Sequence, residues 1–239
     1  MIRRPVSEYR FRGRERVTIE LEGTFDPAGL AVPAGVALDP PEGPARVRLF
    51  AFFVEGLRIA GVPLVRASYA EVLWRVAVRA GIDEPAGEDA RADGAPAWWA
   101  ICCDLGARGP RVAARRWVRY PVRAADVEVA AQRVRVAAPG GELSIAIGPP
   151  GGPPAERAEE RAEIEPRRLI TGLDAAWAVP WGDDGDDGDG GQAQAAPARV
   201  ERDTLSRITL GAAVRWSPTA VVRRGREHRC GTARRRLAT

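Results

Sequence analysis

The stretch "SYAEVLWRVAVRAG", residues 68–81, sets the reading of the whole chain. Val72, Trp74, Val76 and Val78 fall on alternate positions, and Glu71, Leu73, Arg75 and Arg79 fall between them. Neighbouring side chains on a strand point to opposite faces, so this period of two predicts a strand with one wholly apolar face. Upstream, "ARVRLFAFFVEGLRI" (45–59) is a longer apolar run, expected to be buried on both faces for part of its length. "RVTIELEGTF" (16–25) alternates Val17, Ile19 and Leu21 against Thr18, Glu20 and Glu22, which reads as a half-buried strand. The segment 26–44 is dense in Pro and Gly, with a helical turn at "DPAGLAVPA". Downstream, "IDEPAGEDARADGAPA" (82–97) is a polar insertion, long for a hairpin. "WWAICCDLGA" (98–107) shows little alternation and is expected to be a central strand.

The rest of the chain continues in kind. "GPRVAARRWVRY" (109–120) is the best short helix candidate, ended by Pro121. "VEVAAQRVRVAAPGGELSIAIG" (127–148) reads as a hairpin turning at "PGGE". The segment 155–171 opens with a polar, helix-favouring run, and 182–198 is a low-complexity Asp/Gly-rich stretch read as a loop. "TLSRITLGAAVRWSPTAVV" (204–222) supplies a last long strand or strand pair, before an arginine-rich tail at 223–239. Many strands at hairpin spacing with one or two helices predict a mainly β (α+β) fold: a closed antiparallel barrel in a single domain spanning 1–222.

Composition narrows the chemistry. The 239 residues carry a net charge of +4, and all 36 Lys-plus-Arg residues are arginine. Nucleotide bias in a GC-rich bacterial genome accounts for this, and for the abundant Ala, Gly and Pro. Arginine stays protonated and is not a usable amine nucleophile, so no side chain can form a Schiff base. With three cysteines, no CxxC and a single histidine, His228, no zinc site is expected, and no other metal or cofactor. "DDGDDGDGG" lacks the EF-hand spacing and reads as a solvated linker. No apolar run reaches the ~20 residues that span a bilayer, and the first residues lack a signal-peptide core; a cytoplasmic protein is expected. The modest charge and scarce interleaved aromatics argue against a nucleic-acid partner.

The order of three short motifs is more specific than any one of them. "YRFRGRERVTIELEGTF" (9–25), "YAE" (69–71) and "RRWVRYPVR" (115–123) follow one another at the spacing seen in acetoacetate decarboxylases, from about Tyr9 to Pro149. On these residues the chain resembles the acetoacetate decarboxylase family and the uncharacterised bacterial proteins built on its barrel. The resemblance implies that family's closed β-barrel or cone with helices packed outside, active-site positions at Arg14 and Glu71, and a helix and Tyr-Pro-Lys-Lys segment with which Arg115, Tyr120 and Pro121 are in step. It also implies a departure. The family's paired lysines, the first of which forms the imine, fall here at Val122 and Arg123, and a further cavity carboxylate falls at Phe50. Val122 is thus the place of a lost nucleophile.

What survives under the resemblance is Arg14 and Arg123 as binding cations and Glu71 as the acid–base residue, with Tyr120 and Trp117 also lining the cavity. Two arginines are suited to a small carboxylate, and a buried glutamate to proton transfer beside a carbonyl. The expectation is a protein that binds a small organic acid or acyl compound without lysine-imine decarboxylation, and acts on it through Glu71. The alternative is a non-catalytic ligand-binding or scaffold protein, in which the same charges form a structural network. Trp74, Trp98, Trp99 and Trp117 either line a pocket or pack the core. Family members commonly form oligomers, so a homo-oligomer is implied by the resemblance alone.

Overall fold

Period-two patterning is realised as strands that run far beyond the stretches that announce them. The computed structural model describes residues 9–59, 66–80, 95–115, 121–151, 169–171, 177–178 and 193–234. Its strands are β1 (Tyr9–Phe25), β2 (Val36–Leu38), β3 (Ala45–Ile59), β4 (Ala67–Ala80), β5 (Ala95–Leu105), β6 (Val122–Ala124), β7 (Asp126–Ala130), β8 (Arg133–Ala138), β9 (Gly141–Ile147), β10 (Leu169–Thr171), β11 (Trp177–Ala178), β12 (Gln194–Asp203) and β13 (Val214–Arg234). Two six-residue helices interrupt them, α1 (Arg108–Ala113) and α2 (Leu205–Leu210), and a short 3-10 turn covers Pro27–Gly29.

The strands join in the order β10-β5-β4-β3-β1-β13-β12-β9-β8-β7, with β2 added to β4, β6 to β5 and β11 to β13. β7 packs back against β3, β4 and β5, which nearly closes the sheet into a barrel. The long ladders are antiparallel, but β5 pairs in parallel with both β6 and β10, so the barrel is mixed at this one strand. "WWAICCDL" hardly alternates because β5 gives Trp99 and Cys102 to one buried cluster and Trp98, Ala100, Cys103 and Leu105 to the other.

Strands β3, β4 and β5 each carry two apolar sets, and β1 carries one. Val17, Ile19 and Leu21, Val47 and Leu49, Val72, Trp74 and Val76, and Trp99 join one large core with β8, β9 and α2. Phe50, Phe52, Leu73, Trp98, Cys103 and Leu105 form a second cluster on the opposite face, with Tyr69 and Val122 packed against it. The second face also holds the buried Glu71, Arg48 and Arg75.

Four expectations change. The 127–148 segment is three strands, because a turn at Ala131–Gln132 separates β7 from β8 before the expected turn joins β8 to β9. Residues 205–210, expected as strand, form α2, ended by Gly211 in the left-handed conformation at φ 76. The stretch taken as a low-complexity loop already contributes β12 from Gln194, where Ala196 is buried and Pro197 is in register with Thr219. The arginine-rich 223–234, read as tail, continues β13 in register with β1 as far as Tyr9↔Thr232. Helix α1 is shorter than the 109–120 reading; residues 116–120 lie outside the described residues, as do 81–94 of the polar insertion, 152–168, and 182–192 of the Asp/Gly-rich stretch.

Candidate functional site

β4 supplies the centre of the second face. Glu71, Leu73 and Arg75 alternate there, and all three are buried. Glu71 is in register with Phe52 of β3 and Leu105 of β5. The Cys103 thiol donates to Glu71 Oε1 at 3.3 Å. Burial first, and the adjacent Glu71 second, push the Cys103 thiol well above its ordinary range, so it is a neutral donor. Cys103 is in turn the register partner of Val122 on the parallel strand β6, and Val122 packs on the same cluster. Glu71 and the position of the missing nucleophile therefore share one small region.

Four residues further along β4, about 13 Å at ~3.3 Å per residue, lies a cationic region. The Arg75 guanidinium carbon is 4.6 Å from the Phe50 ring centroid and 5.5 Å from that of Trp98. The Arg48 guanidinium carbon, from β3, is 4.6 Å from the Trp98 ring centroid. Both arginines are at least nine-tenths buried. Arg48 donates to Glu20 Oε2 at 3.3 Å and to Glu22 Oε1 at 2.5 Å, and Arg223 of β13 donates to the second oxygen of Glu20. Thr18 donates to Glu15 at 2.5 Å beside them. Desolvating these ions is costly unless they meet opposite charge, which the Arg48–Glu20–Arg223 chain provides. Trp98 is 5% exposed, and its indole Nε1 has no hydrogen-bond partner among the described residues.

The two other expected cations are elsewhere. Arg123 follows Val122 on β6 and so points to the opposite face. There it grips Asp104 with two hydrogen bonds, Nε to Oδ1 at 2.6 Å and Nη2 to Oδ2 at 2.9 Å, and donates from Nη1 to Thr209 of α2 at 3.0 Å. Asp104, fully buried, also accepts from Trp74 Nε1 at 2.8 Å. Burial lowers the Arg123 pKa, but the hydrogen bonds to Asp104 together with the nearby Cys102 and Asp104 charges outweigh it and leave it raised. Arg14 is exposed on β1, in register with Glu55 and Glu227. Trp117 and Tyr120 lie outside the described residues. The structure thus brings Glu71 to Val122 but gathers neither Arg14 nor Arg123 with them. Arg115, beyond α1, donates to the Val122 carbonyl at 2.8 Å, tying that segment to β6. Of the tryptophans, Trp74 and Trp99 belong to the large core, and Trp98 alone among those described belongs to the second cluster, beside Arg48 and Arg75.

Arg48, Arg75 and Cys103 are the interior residues that the motif reading passed over. Their signal was present: Arg75 shares the parity of Glu71, and Arg48 that of Phe50 and Phe52, inside strands apolar on both sides.

A nearly closed β-barrel with two short helices is the architecture of acetoacetate-decarboxylase-like proteins, and this chain has that fold. No protein-family model matches the chain, and no curated protein sequence matches it. Solved structures do. Acetoacetate decarboxylase from Legionella pneumophila aligns with a TM-score of 0.63 at 13% identity, over 98% of this chain and 88% of that one. The enduracididine biosynthesis enzyme MppR, complexed with pyruvate, aligns at 0.54 with 15% identity, over 99% and 91%. An acetoacetate decarboxylase-like enzyme from Sphingomonas wittichii RW1 aligns at 0.54 with 11% identity, over 98% and 93%. At these identities the likeness is one of fold.

Proposed function

We propose that this protein binds a small organic acid or acyl compound against the interior face of its barrel and acts on it by acid–base chemistry through Glu71, not by decarboxylation through a lysine imine. The observation that carries the reading is the meeting of Glu71, Cys103 and Val122 on one buried face, with two arginines on the same face further along. MppR, which shares the fold, holds pyruvate; a small oxo acid is accordingly the first ligand class to try. The imine route is closed because the chain contains no lysine. Glu71 is suited to take a proton from the carbon beside a carbonyl. The Cys103 thiol is suited to steady its carboxylate.

The test is a thermal-shift screen of keto, hydroxy and acyl acids on wild type and Arg75→Ala. A ligand at a hundred times its Kd adds about 2.7 kcal/mol to stability. The reading expects an acid that shifts wild type and not the variant, and expects borohydride to trap no keto acid on any residue other than the Met1 amine. A trapped adduct elsewhere contradicts it.

A second reading has its own observation. Arg48, Glu20, Glu22 and Arg223 already satisfy one another, as they would in a purely structural frame. Under that reading no acid shifts either protein, and Glu71→Gln is neutral or stabilising with no turnover to lose.

A further inference from the structure

Strand β13 has two edges, and they are used unevenly. On one side it pairs with β1 along nearly its whole length, as far as Tyr9↔Thr232. On the other side β12 meets it at Gln194 to Pro197, in register with Val222 to Thr219. β11 meets the same strand at Trp177 and Ala178, in register with Arg234 and Ala233. Between Val222 and Ala233 this second edge has no neighbour among the described residues. An open strand edge presents unpaired N–H and C=O groups, and proteins cover it or charge it.

Positive charge gathers along the same stretch. Arg223 is held by Glu20. Arg224 stands opposite Val17, is exposed, and has no acidic partner among the described residues. Arg229 is in register with Arg12 of β1, and Arg12 with Arg58 of β3, a row of three arginine positions across neighbouring strands. Like charges directly opposite one another destabilise a sheet. The acidic positions nearby serve other arginines: Glu55 and Glu227 flank Arg14, Glu55 pairs with Arg16 at 3.3 Å, and Glu15 stands opposite Arg226. Arg224 and the row through Arg229 therefore carry charge that an anion would balance.

Topology brings an anion to this edge. Ala178 lies beside Ala233 and Gln194 beside Val222, and residues 179–193 join the two. The five aspartates of the Asp/Gly-rich stretch, at 183, 184, 186, 187 and 189, fall in the middle of that connection. From Val222 to Ala233 the edge is about 36 Å long at ~3.3 Å per residue. The connection reaches about 55 Å fully extended, so its midpoint, Asp186, stays within about 20 Å of the open edge. Tethering at both ends keeps the local concentration of carboxylate high without any new contact.

We propose that the open edge of β13, with Arg224 and Arg229 on it and Arg12 behind, is a docking surface for this chain's own aspartates at 183–189, which neutralise it and shield it from external polyanions. A composition that suggests a solvated linker thus acquires a partner from where its two ends are fixed. The proposal stands apart from the interior reading, and neither depends on the other.

The experiment uses the full-length protein and a combined variant with Asp→Asn at 183, 184, 186, 187 and 189. Phenylglyoxal modifies accessible arginines, and peptide mass spectrometry reads the rate at each one. Arg108, exposed on α1, is the internal control. At about 10 mM ionic strength, where the Debye length is ~30 Å, Arg224 and Arg229 should react about twofold to fivefold slower in wild type than in the variant. At about 1 M, where it is ~3 Å, the difference should vanish, and Arg108 should react alike throughout. On immobilised heparin the variant should elute at higher salt than wild type. Equal rates at Arg224 and Arg229 in the two proteins at low salt overturn the contact, and equal retention on heparin overturns the shielding. Protection that falls on dilution assigns the aspartates to a second copy and overturns the intramolecular docking. Should the variant fail to fold, the wild-type salt series decides: rates at Arg224 and Arg229 that rise with salt relative to Arg108 support the docking, and rates that do not overturn it.

Discussion

Arg123→Ala separates a structural arginine from a ligand-binding one. In the structure Arg123 makes two hydrogen bonds to Asp104, a carboxylate with no solvent exposure, and a third to Thr209. Its removal leaves Asp104 with Trp74 Nε1 and a weak contact from the Cys102 thiol at 3.9 Å. Breaking a buried pair from one side costs about 3–5 kcal/mol, because the remaining charge stays buried without its counterion. For a chain of this size each kcal/mol moves Tm by about 2–4 °C, so the variant should melt about 6–20 °C below wild type. Asp104→Asn in the same background removes the stranded charge while keeping an acceptor for Trp74, and should recover part of the loss. Arg123→Lys keeps the charge but not the bidentate grip, and should fall between. Calorimetry or circular dichroism on the four proteins reads this directly. An Arg123→Ala protein that melts within about 2 °C of wild type would refute the reasoning. So would one that loses acid binding with its stability intact, since that behaviour belongs to a cation facing a ligand.

Three further outcomes follow from single sites. Burial first and Asp104 second push the Cys102 thiol up to about 12 from 9.0; with its folded pKa raised, it contributes stability in full below about pH 9 that is lost as pH rises toward 12. This amounts to up to about 4 kcal/mol at ~1.36 kcal/mol per unit, and with no lysine titrating in that range, Cys102→Ala should flatten the alkaline limb of denaturant-derived stability; an unchanged limb counts against it. Hydrogen bonds from Arg135 and Arg202 hold the Glu142 carboxyl below its ordinary value, so its contribution is present above that value and disappears as pH falls through the lowered one. Glu142→Gln should therefore shrink the loss of stability on acidification, and an acid limb as steep as that of wild type would show the network to be inert. At Gly23, where the β1 register shifts, a Cβ would stand 2.5 Å from Val214 Cγ1 and 3.0 Å from both the Arg215 carbonyl and Trp216; Gly23→Ala should cost about 1–3 kcal/mol, measurable as a lower urea midpoint at constant m-value.

Sequence patterning carried the faces of β4 well, because a period of two is enforced wherever one side must be dry: Val72, Trp74, Val76 and Val78 all belong to one core. The same rule contained the answer for Arg123. Adjacent strand residues cannot share a face, so a Val122 that looks inward requires an Arg123 that looks away. Arg48 and Arg75 escaped notice because charge at strand positions ordinarily signals solvent, and the burial of this second face is a tertiary property that no local pattern announces. Helix α2 was hidden for a local reason: "LSRITL" is one and a half turns long, too short for a 3.6-residue period to emerge. The tail read from the charge of 223–239 overlooked that β1, itself arginine-rich at its start, offers a ladder for it.

The central claim is that Glu71 moves a proton on a bound organic acid. Its most direct test is proton NMR of keto and acyl acids in deuterium oxide with catalytic amounts of wild type and of Glu71→Gln, following loss of the signal from the carbon beside the carbonyl. The account predicts exchange above the buffer rate for at least one acid with wild type, abolished in a folded Glu71→Gln protein. Exchange that survives in the variant, or none for any acid with wild type, would contradict it.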